Sequence, residues 1–180
     1  MEYQDKLSRA IQRNIHEVFN ARIEQRAWNG LRKSSYLGGL DFFRIASRAL
    51  HNDMISHAIK VLDRNKQSAT FWYIYDSYKK NAKFSKIMVG RNITKVEQLA
   101  GKLKCIRDKT HFHIDKKGVL DPKKIWKDAG VKKDNFVDVL DMIWDILNRI
   151  YKIHFNKEFL FDEYTGDDVA KIIDLYMANH

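Results

Sequence analysis

Apolar residues recur at steps of three and four along most of the chain, which is the spacing of amphipathic helices. The longest patterns predict helices over residues 2–28, from Ser34-Ser35 to about residue 64, from Asn92 or Thr94 to residue 107, and over residues 134–154. Shorter patterns predict helices over residues 71–79, over residues 121–130 and from Thr165 onward. The sequence therefore predicts an all-α fold, a compact bundle of about five long helices plus short helices.

Local signals predict where some of these helices begin and end. Asn29-Gly30 is expected to stop the first helix, and Ser34-Ser35 is expected to cap the second. Asp121-Pro122 is expected to begin the short helix, which Ala129-Gly130 ends. Residues 79–90 are basic and are predicted to form a connection.

Composition is that of one folded domain spanning residues 1–180. The chain is 44% hydrophobic and 12% aromatic, with one proline and eight glycines, so long segments lack helix breakers. No apolar run approaches the length of a membrane span, and the first residues lack the form of a signal peptide. We therefore expect a cytoplasmic protein without a membrane segment, whose single cysteine, Cys105, is a structural thiol.

Positive charge is concentrated in the middle of the chain. The formal net charge is +10, and residues 79–133 carry 17 Lys and Arg against 5 Asp and Glu, whereas residues 134–180 carry 4 against 10. A basic surface of this kind favours a polyanionic partner, although a solvated lysine face would have the same composition.

Arg107, Asp108 and His113 lie within this basic region, at the end of the helix predicted from Asn92 or Thr94. An arginine can bind phosphate oxygens with two parallel hydrogen bonds, a histidine can transfer a proton near neutral pH, and the aspartate can orient either one. On a regular helix Arg107 and His113 would be roughly 120° apart. Either the helix ends or kinks between them, or a second copy of the segment completes the site.

This run resembles the signature of the HEPN superfamily, in which an arginine and an adjacent polar residue precede a histidine by a short interval. The context of Arg107, Asp108 and His113 is similar to the abortive-infection branch. A second stretch is similar to the long helix and following aromatic segment of that branch; its residues are Tyr36-Leu37, Phe43-Arg44, Ala49-Leu50-His51-Asn52, Ile59-Lys60-Val61-Leu62-Asp63-Arg64 and Ala69-Thr70-Phe71-Trp72.

The resemblance implies a metal-independent endoribonuclease that acts as a homodimer with the site at the interface. It also implies a toxin or antiphage effector that an antitoxin partner restrains. Arg107 would bind the scissile phosphate, His113 would transfer protons and Asp108 would orient one of them. No metal or cofactor is expected. The residues predicted to bind RNA are Lys102, Lys104, Lys109, Lys116 and Lys117.

Other interpretations of the same residues stay open. The chain could be a non-catalytic HEPN module that binds nucleotide, RNA or a partner protein, and Arg107 with Asp108 could simply cap and ion-pair a helix end. His111 and His113 could contribute to a zinc site, although the sequence identifies no further ligands. His51 and His57 lie on different helix faces, so they should not share a metal. The aromatic residues at 71–78 favour core packing or a dimer seam over the stacking of bases.

Overall fold

The computed structural model describes residues 2–33, 41–111, 122–160, 164–165 and 167–178. Within these residues all regular structure is helical, which confirms the all-α prediction. The helices are α1 (Glu2–Lys33), α2 (Asp41–Leu62), α3 (Phe71–Tyr78), α4 (Ala82–Met88), α5 (Ile93–Ile106), a π-helical turn (Arg107–His111), α6 (Pro122–Ala129), α7 (Lys133–Phe155) and α8 (Asp167–Ala178).

The core lies where α1 packs against α2 and α7, with α5 closing one side. Fully burying one large aliphatic side chain contributes about 1.5–3 kcal/mol, so this shared apolar surface holds the bundle together. The buried side of α5 is the predicted one: Val96, Leu99, Leu103 and Ile106 are all buried. Along α7 the buried residues are Phe136, Val139, Leu140, Ile143, Trp144, Ile146, Leu147, Ile150 and Tyr151.

The predicted stop at Asn29-Gly30 is wrong, because α1 continues through both residues to Lys33. Leu31 is buried one residue beyond the expected stop, and its apolar neighbours from α2 include Phe43 and Leu50. The Arg32 guanidinium also lies over the Trp28 ring, 4.6 Å from its centroid. These contacts outweigh the helix penalty of a glycine, which is about 1 kcal/mol.

The predicted connection over residues 79–90 is also wrong, since residues 82–88 form α4. The Asn81 side chain caps the helix by accepting a hydrogen bond from the Lys83 backbone N–H. Phe84 and Ile87, one helical turn apart, are both buried. Two apolar residues with a capped first turn thus suffice to order a segment whose lysines suggested a loop.

Several predicted helix ends are confirmed. Asn92 caps α5 by accepting from the Thr94 backbone N–H at 3.0 Å. Pro122 is the first residue of α6, and Gly130 follows its end with a φ of 60°. The proposed cap at Ser34-Ser35 and the Asp121 cap lie outside the described residues; α2 is described from Asp41.

Three apolar side chains of the last helix are exposed, although its sequence pattern places them on the apolar side. Ile172, Leu175 and Tyr176 of α8 are exposed, although α8 contacts α1. None of the helices within the described ranges has the length and apolarity that a membrane crossing requires.

A chain of hydrogen bonds through His154 joins α7 to α1 and α3. The Tyr78 hydroxyl lies 2.6 Å from His154 Nδ1, Nε2 lies 2.7 Å from Ser8 Oγ, and the Ser8 hydroxyl donates to the Gln4 carbonyl at 2.7 Å. Because the Ser8 proton goes to Gln4, Ser8 Oγ accepts from Nε2–H and Nδ1 accepts from Tyr78. This pattern uses the neutral imidazole, and burial lowers the pKa of His154.

We expect His154 to make the fold less stable as pH falls from about 7 to about 5. Its pKa is lower in the folded chain, so the unfolded chain binds more protons in this window and folding stability decreases with falling pH. Urea unfolding at several pH values gives the free energy of unfolding of the protein and of His154→Gln. The free energy of unfolding of this variant should depend less on pH. His16→Gln, a histidine outside the hydrogen-bond chain, serves as the control. A stability difference that is the same at every pH would contradict the prediction.

Candidate phosphate-binding cleft

The end of α5 carries Arg107 out of the core. Ile106 is fully buried, and Arg107 is the next residue, where the α-helix changes to a π-helical turn. The backbone N–H of Arg107 is shared between the carbonyls of Leu103 and Lys104. Single π-helical turns are rare and occur frequently at functional sites. The regular α-helix thus ends at Arg107, before the predicted histidine partner.

Two carboxylates hold the Arg107 guanidinium. Its Nη1 lies 2.8 Å from Asp63 Oδ2, while Nε and Nη2 both lie 2.8 Å from Asp108 Oδ1. The Arg107 side chain is 22% exposed and that of Asp63 is 24% exposed. The hydrogen bonds that Arg107 donates to Asp108 and then to Asp63 raise its pKa, so the guanidinium is a fixed cation.

Asp108 contacts Arg107, one of the two residues that it was predicted to orient, and its orienting role stays a prediction. The contacts also add an anchor that the sequence did not indicate. Asp63 lies at the end of α2, 44 positions earlier in the chain, so only the fold brings it to Arg107. The same contacts also fit the structural interpretation, in which Arg107 ion-pairs at a helix end. The guanidinium has five N–H groups, so part of its donor capacity remains for a ligand.

Arg107 lines a cleft with a volume of about 520 Å³ between α1, α2 and the segment that follows α2. Arg13 from α1 and Lys60 from α2 face the same cleft, and Asp63 and Glu17 supply its acidic groups. The Arg13 side chain is 80% exposed and that of Lys60 is 48% exposed, so both are accessible to a ligand. The lining thus has three cations against two carboxylates, and Glu17 pairs with both Arg13 and Lys60. The volume of the cleft is large enough for a ligand the size of a nucleotide.

Asn14 forms part of the cleft and was not identified from the sequence. It is buried, and its Nδ2 donates to the Ala10 carbonyl at 2.8 Å and to the Ala69 carbonyl at 2.7 Å. The second bond fixes the segment after α2 against α1. The signal was available, because Asn14 occupies a position within the buried stripe of α1 that its neighbours fill with Ile11, Ile15 and Val18.

Behind the cleft, His57 of α2 is surrounded by carboxylates. Its Nδ1 lies 2.5 Å from Glu17 Oε2, and its Nε2 lies 3.3 Å from Glu24 Oε1 and 3.8 Å from Asp53 Oδ1. Hydrogen bonding to Glu24 and then Glu17 raises the pKa of His57. His57 thus lies at the edge of the core, with its side chain 13% exposed. His51 lies apart from it, between the rings of Trp28 and Trp126.

Not every predicted site residue can be placed. His113, Lys116 and Lys117 lie outside the described residues, as does the junction with α6. Lys104 and Lys109 are exposed, and Lys104 lines a small groove on the other side of the Asp63–Arg107 pair. Lys102 instead donates to the Gly130 carbonyl at 2.7 Å, which fixes the end of α6. The predicted RNA-binding role of these lysines stays a prediction.

The aromatic helix α3 has two sides. Phe71, Ile74 and Tyr78 are buried in the core, in agreement with the preferred interpretation. Trp72 and Tyr75 instead line an open groove of about 620 Å³ that shares Ser68 and Thr70 with the cleft. Within this groove the Arg64 guanidinium stacks on Trp72, 4.0 Å from the ring centroid. A stacking surface therefore adjoins the cationic cleft.

The chain finds no match among protein-family models, curated proteins or solved structures. The resemblance to the HEPN superfamily is therefore a prediction that rests on the Arg107-Asp108…His113 motif and on the similar stretch before it. What the geometry adds is a cleft with Arg107 on its wall, two further cations beside it and an aromatic groove next to it.

Proposed function

We propose that this protein is a metal-independent endoribonuclease of the HEPN type, in which Arg107 binds the scissile phosphate and His113 transfers protons. The observation that carries the proposal is the position of Arg107, whose guanidinium is fixed by Asp63 and Asp108 on the wall of a cleft that Arg13 and Lys60 also line. Such a fixed cation stabilises charge that develops on phosphate oxygens without having to reorganise during the reaction.

RNA suits this set of groups because it carries its own nucleophile, the 2′-hydroxyl. Cleavage then needs a base for that hydroxyl, an acid for the leaving oxygen and positive charge at the phosphorus. DNA lacks the hydroxyl and should stay intact. The adjoining groove, with Trp72, Tyr75 and Arg64, supports a single-stranded substrate, since unpaired bases stack on aromatic and guanidinium planes.

A homodimer is part of the proposal, because one histidine in each motif cannot readily serve as both base and acid. Two copies related by a two-fold axis would supply two imidazoles to one substrate. By the same resemblance, we propose a cytoplasmic toxin or antiphage effector that an antitoxin partner restrains.

A second candidate is a non-catalytic module that binds RNA or a nucleotide. The observation that favours it is the pairing of Arg107 with two carboxylates, which offsets the positive charge next to a bound phosphate. In this case the cleft binds the ligand, but the phosphodiester bond stays intact.

Arg107→Ala and His113→Ala should each reduce RNA cleavage by about 10²- to 10⁴-fold, the usual effect of losing one charge-stabilising or proton-transferring group. Cleavage of a labelled single-stranded RNA, with its DNA counterpart as a negative control, measures the effect. The matched control is Arg149→Ala, which removes an exposed arginine that pairs with Asp145 on α7. Circular dichroism and light scattering check that every variant keeps its fold and its assembly.

Full activity of Arg107→Ala would contradict the proposed mechanism, and so would cleavage that requires added Mg²⁺. Activity should persist in a chelator under conditions in which the chelated protein stays folded by circular dichroism, because no step of cleavage uses a metal. If the folded protein binds RNA yet leaves it intact over hours, the binding module is the correct candidate.

Asp63 is proposed as a positioning residue, and Asp63→Asn should lower kcat more than it raises KM. Loss of the ionic contact lets the guanidinium move, and small misplacements of a reacting group cost up to about 100-fold in rate. Asp63→Glu should restore part of the activity, since it restores the charge. Equal changes in kcat for the Asn and Glu variants would exclude this role.

RNA binding should weaken with salt. If the RNA is held through about four phosphates, a plot of the logarithm of the association constant against the logarithm of the salt concentration should have a slope of roughly −3. Arg13→Ala should make this slope about 0.7 less steep. Fluorescence anisotropy at several salt concentrations measures both slopes. Arg9→Ala is the matched control, because Arg9 is equally exposed one turn earlier on α1 and pairs with Asp5. A slope that is the same for all three proteins would exclude Arg13 from the RNA contact.

A further inference from the structure

The His57 cluster is a set of metal-binding groups that the ribonuclease mechanism does not use. Glu24, Asp53 and His57 each offer one ligand atom, and these three atoms all lie within 4.8 Å of one another. Nε2 lies 3.3 Å from the Glu24 oxygen and 3.8 Å from the Asp53 oxygen. Ligands of a tetrahedral ion with bonds of about 2.1 Å are about 3.4 Å apart. The two measured separations are close to this spacing.

The hydrogen bond on the other ring nitrogen determines what Nε2 can do. Nδ1 lies 2.5 Å from Glu17 Oε2, so in the neutral ring the proton is on Nδ1 and is donated to that carboxylate. In the neutral ring Nε2 is then an acceptor that faces two carboxylate oxygens, and either a proton on Nε2 or a metal ion between the three atoms satisfies them. A histidine that donates one N–H to a carboxylate while its other nitrogen binds metal is a recurring arrangement in metal sites.

A carboxylate oxygen of the same cluster also lacks a partner. Among the described residues, Glu24 Oε2 is buried and accepts no hydrogen bond. A proton on His57 Nε2 can be donated to one carboxylate oxygen, whereas a metal ion can bind several carboxylate oxygens at once.

We propose that Glu24, Asp53 and His57 bind one divalent transition-metal ion of the zinc class between α1 and α2, with Glu17 holding the imidazole in place. Glu24 and His57 are the buried ligands, with side chains 15% and 13% exposed. Asp53 is 63% exposed and can rotate to complete the set, which leaves a fourth position for water.

The donor atoms set the class of ion. An imidazole nitrogen suits Zn²⁺ and its first-row neighbours, whereas Mg²⁺ requires an octahedral shell of oxygens and rarely takes nitrogen. The ion would join α1 to α2 by bonds from both helices, and binding to the folded state alone raises its stability. The three ligands do not line the cleft that contains Arg107, so this role is structural and separate from the proposed cleavage chemistry.

The test measures Zn²⁺ binding by isothermal titration calorimetry on the full chain without a histidine tag, after chelation and desalting. One Zn²⁺ should bind per chain, raise the midpoint of thermal unfolding and resist competition by excess Mg²⁺. Asp53→Asn and Glu24→Gln should abolish or strongly weaken Zn²⁺ binding. Glu17→Gln should weaken it by about 10- to 100-fold, the usual effect of losing a residue that hydrogen-bonds to a metal ligand. The matched control is Glu158→Gln, an exposed glutamate that pairs with Lys152.

The assay contains no RNA, so its outcome is independent of the ribonuclease proposal. Absence of Zn²⁺ binding would overturn the metal site, and so would equal affinity in Asp53→Asn, Glu24→Gln and the unmodified chain. Loss of binding in a His111→Ala, His113→Ala double variant, with binding intact in Glu24→Gln, would assign the ion to the other histidines and overturn it as well. Asp53→Asn alters an exposed side chain and keeps the test valid if Glu24→Gln fails to fold.

Discussion

The packing of α1 against α2 is the contact on which most of the molecule depends. It buries the apolar stripe of α1, and along the same seam it encloses polar groups that water would otherwise solvate. Asn14, Glu17 and Glu24 all come from the inner side of α1, and His57 faces them from α2. Burying such groups is unfavourable unless each has a partner, so the seam fixes one relative position of the two helices.

The same seam links the two sites. Glu17 contacts both His57 and Lys60, and Lys60 lines the cleft that holds Arg107. Burial opposes ionisation of Glu17, but the contacts with His57 and Lys60 prevail and lower its pKa. Glu17 thus contacts one residue of the His57 cluster and one residue of the cleft.

The helices were predictable to the extent that their signals are local. Buried residues of α5 at steps of three and four gave its register, and that register put Arg107 at the helix end. Of the two errors, α4 was missed because the lysines of residues 79–90 suggested a connection, although a cap and two buried apolar residues order this segment. The early stop of α1 came from a contact between distant segments. Leu31 continues α1 past a glycine because α2 covers it, and no local pattern shows that α2 lies there.

The site was predictable in part for the same reason. Arg107 and Asp108 are adjacent in the chain, so a motif can identify them, whereas Asp63, Asn14 and Arg13 join them only through the fold. Of these three residues, Asn14 alone was recognisable from the sequence, because it is a polar residue within the apolar stripe of a helix. Asp63 and Arg13 resemble ordinary surface charges until their neighbours are known.

The π-helical turn at Arg107–His111 changes the angular position of the residues at the end of this segment. A π turn holds one residue more than an α turn, so the residues of the turn are rotated about the helix axis relative to the buried stripe of α5. Deleting a single residue there would restore the α-helical repeat and shift the remaining residues of the turn by about 100° around the axis, while Ile106 and the residues before it kept their places. The backbone geometry of the turn, as well as side-chain identity, thus decides how Asp108 meets the Arg107 guanidinium.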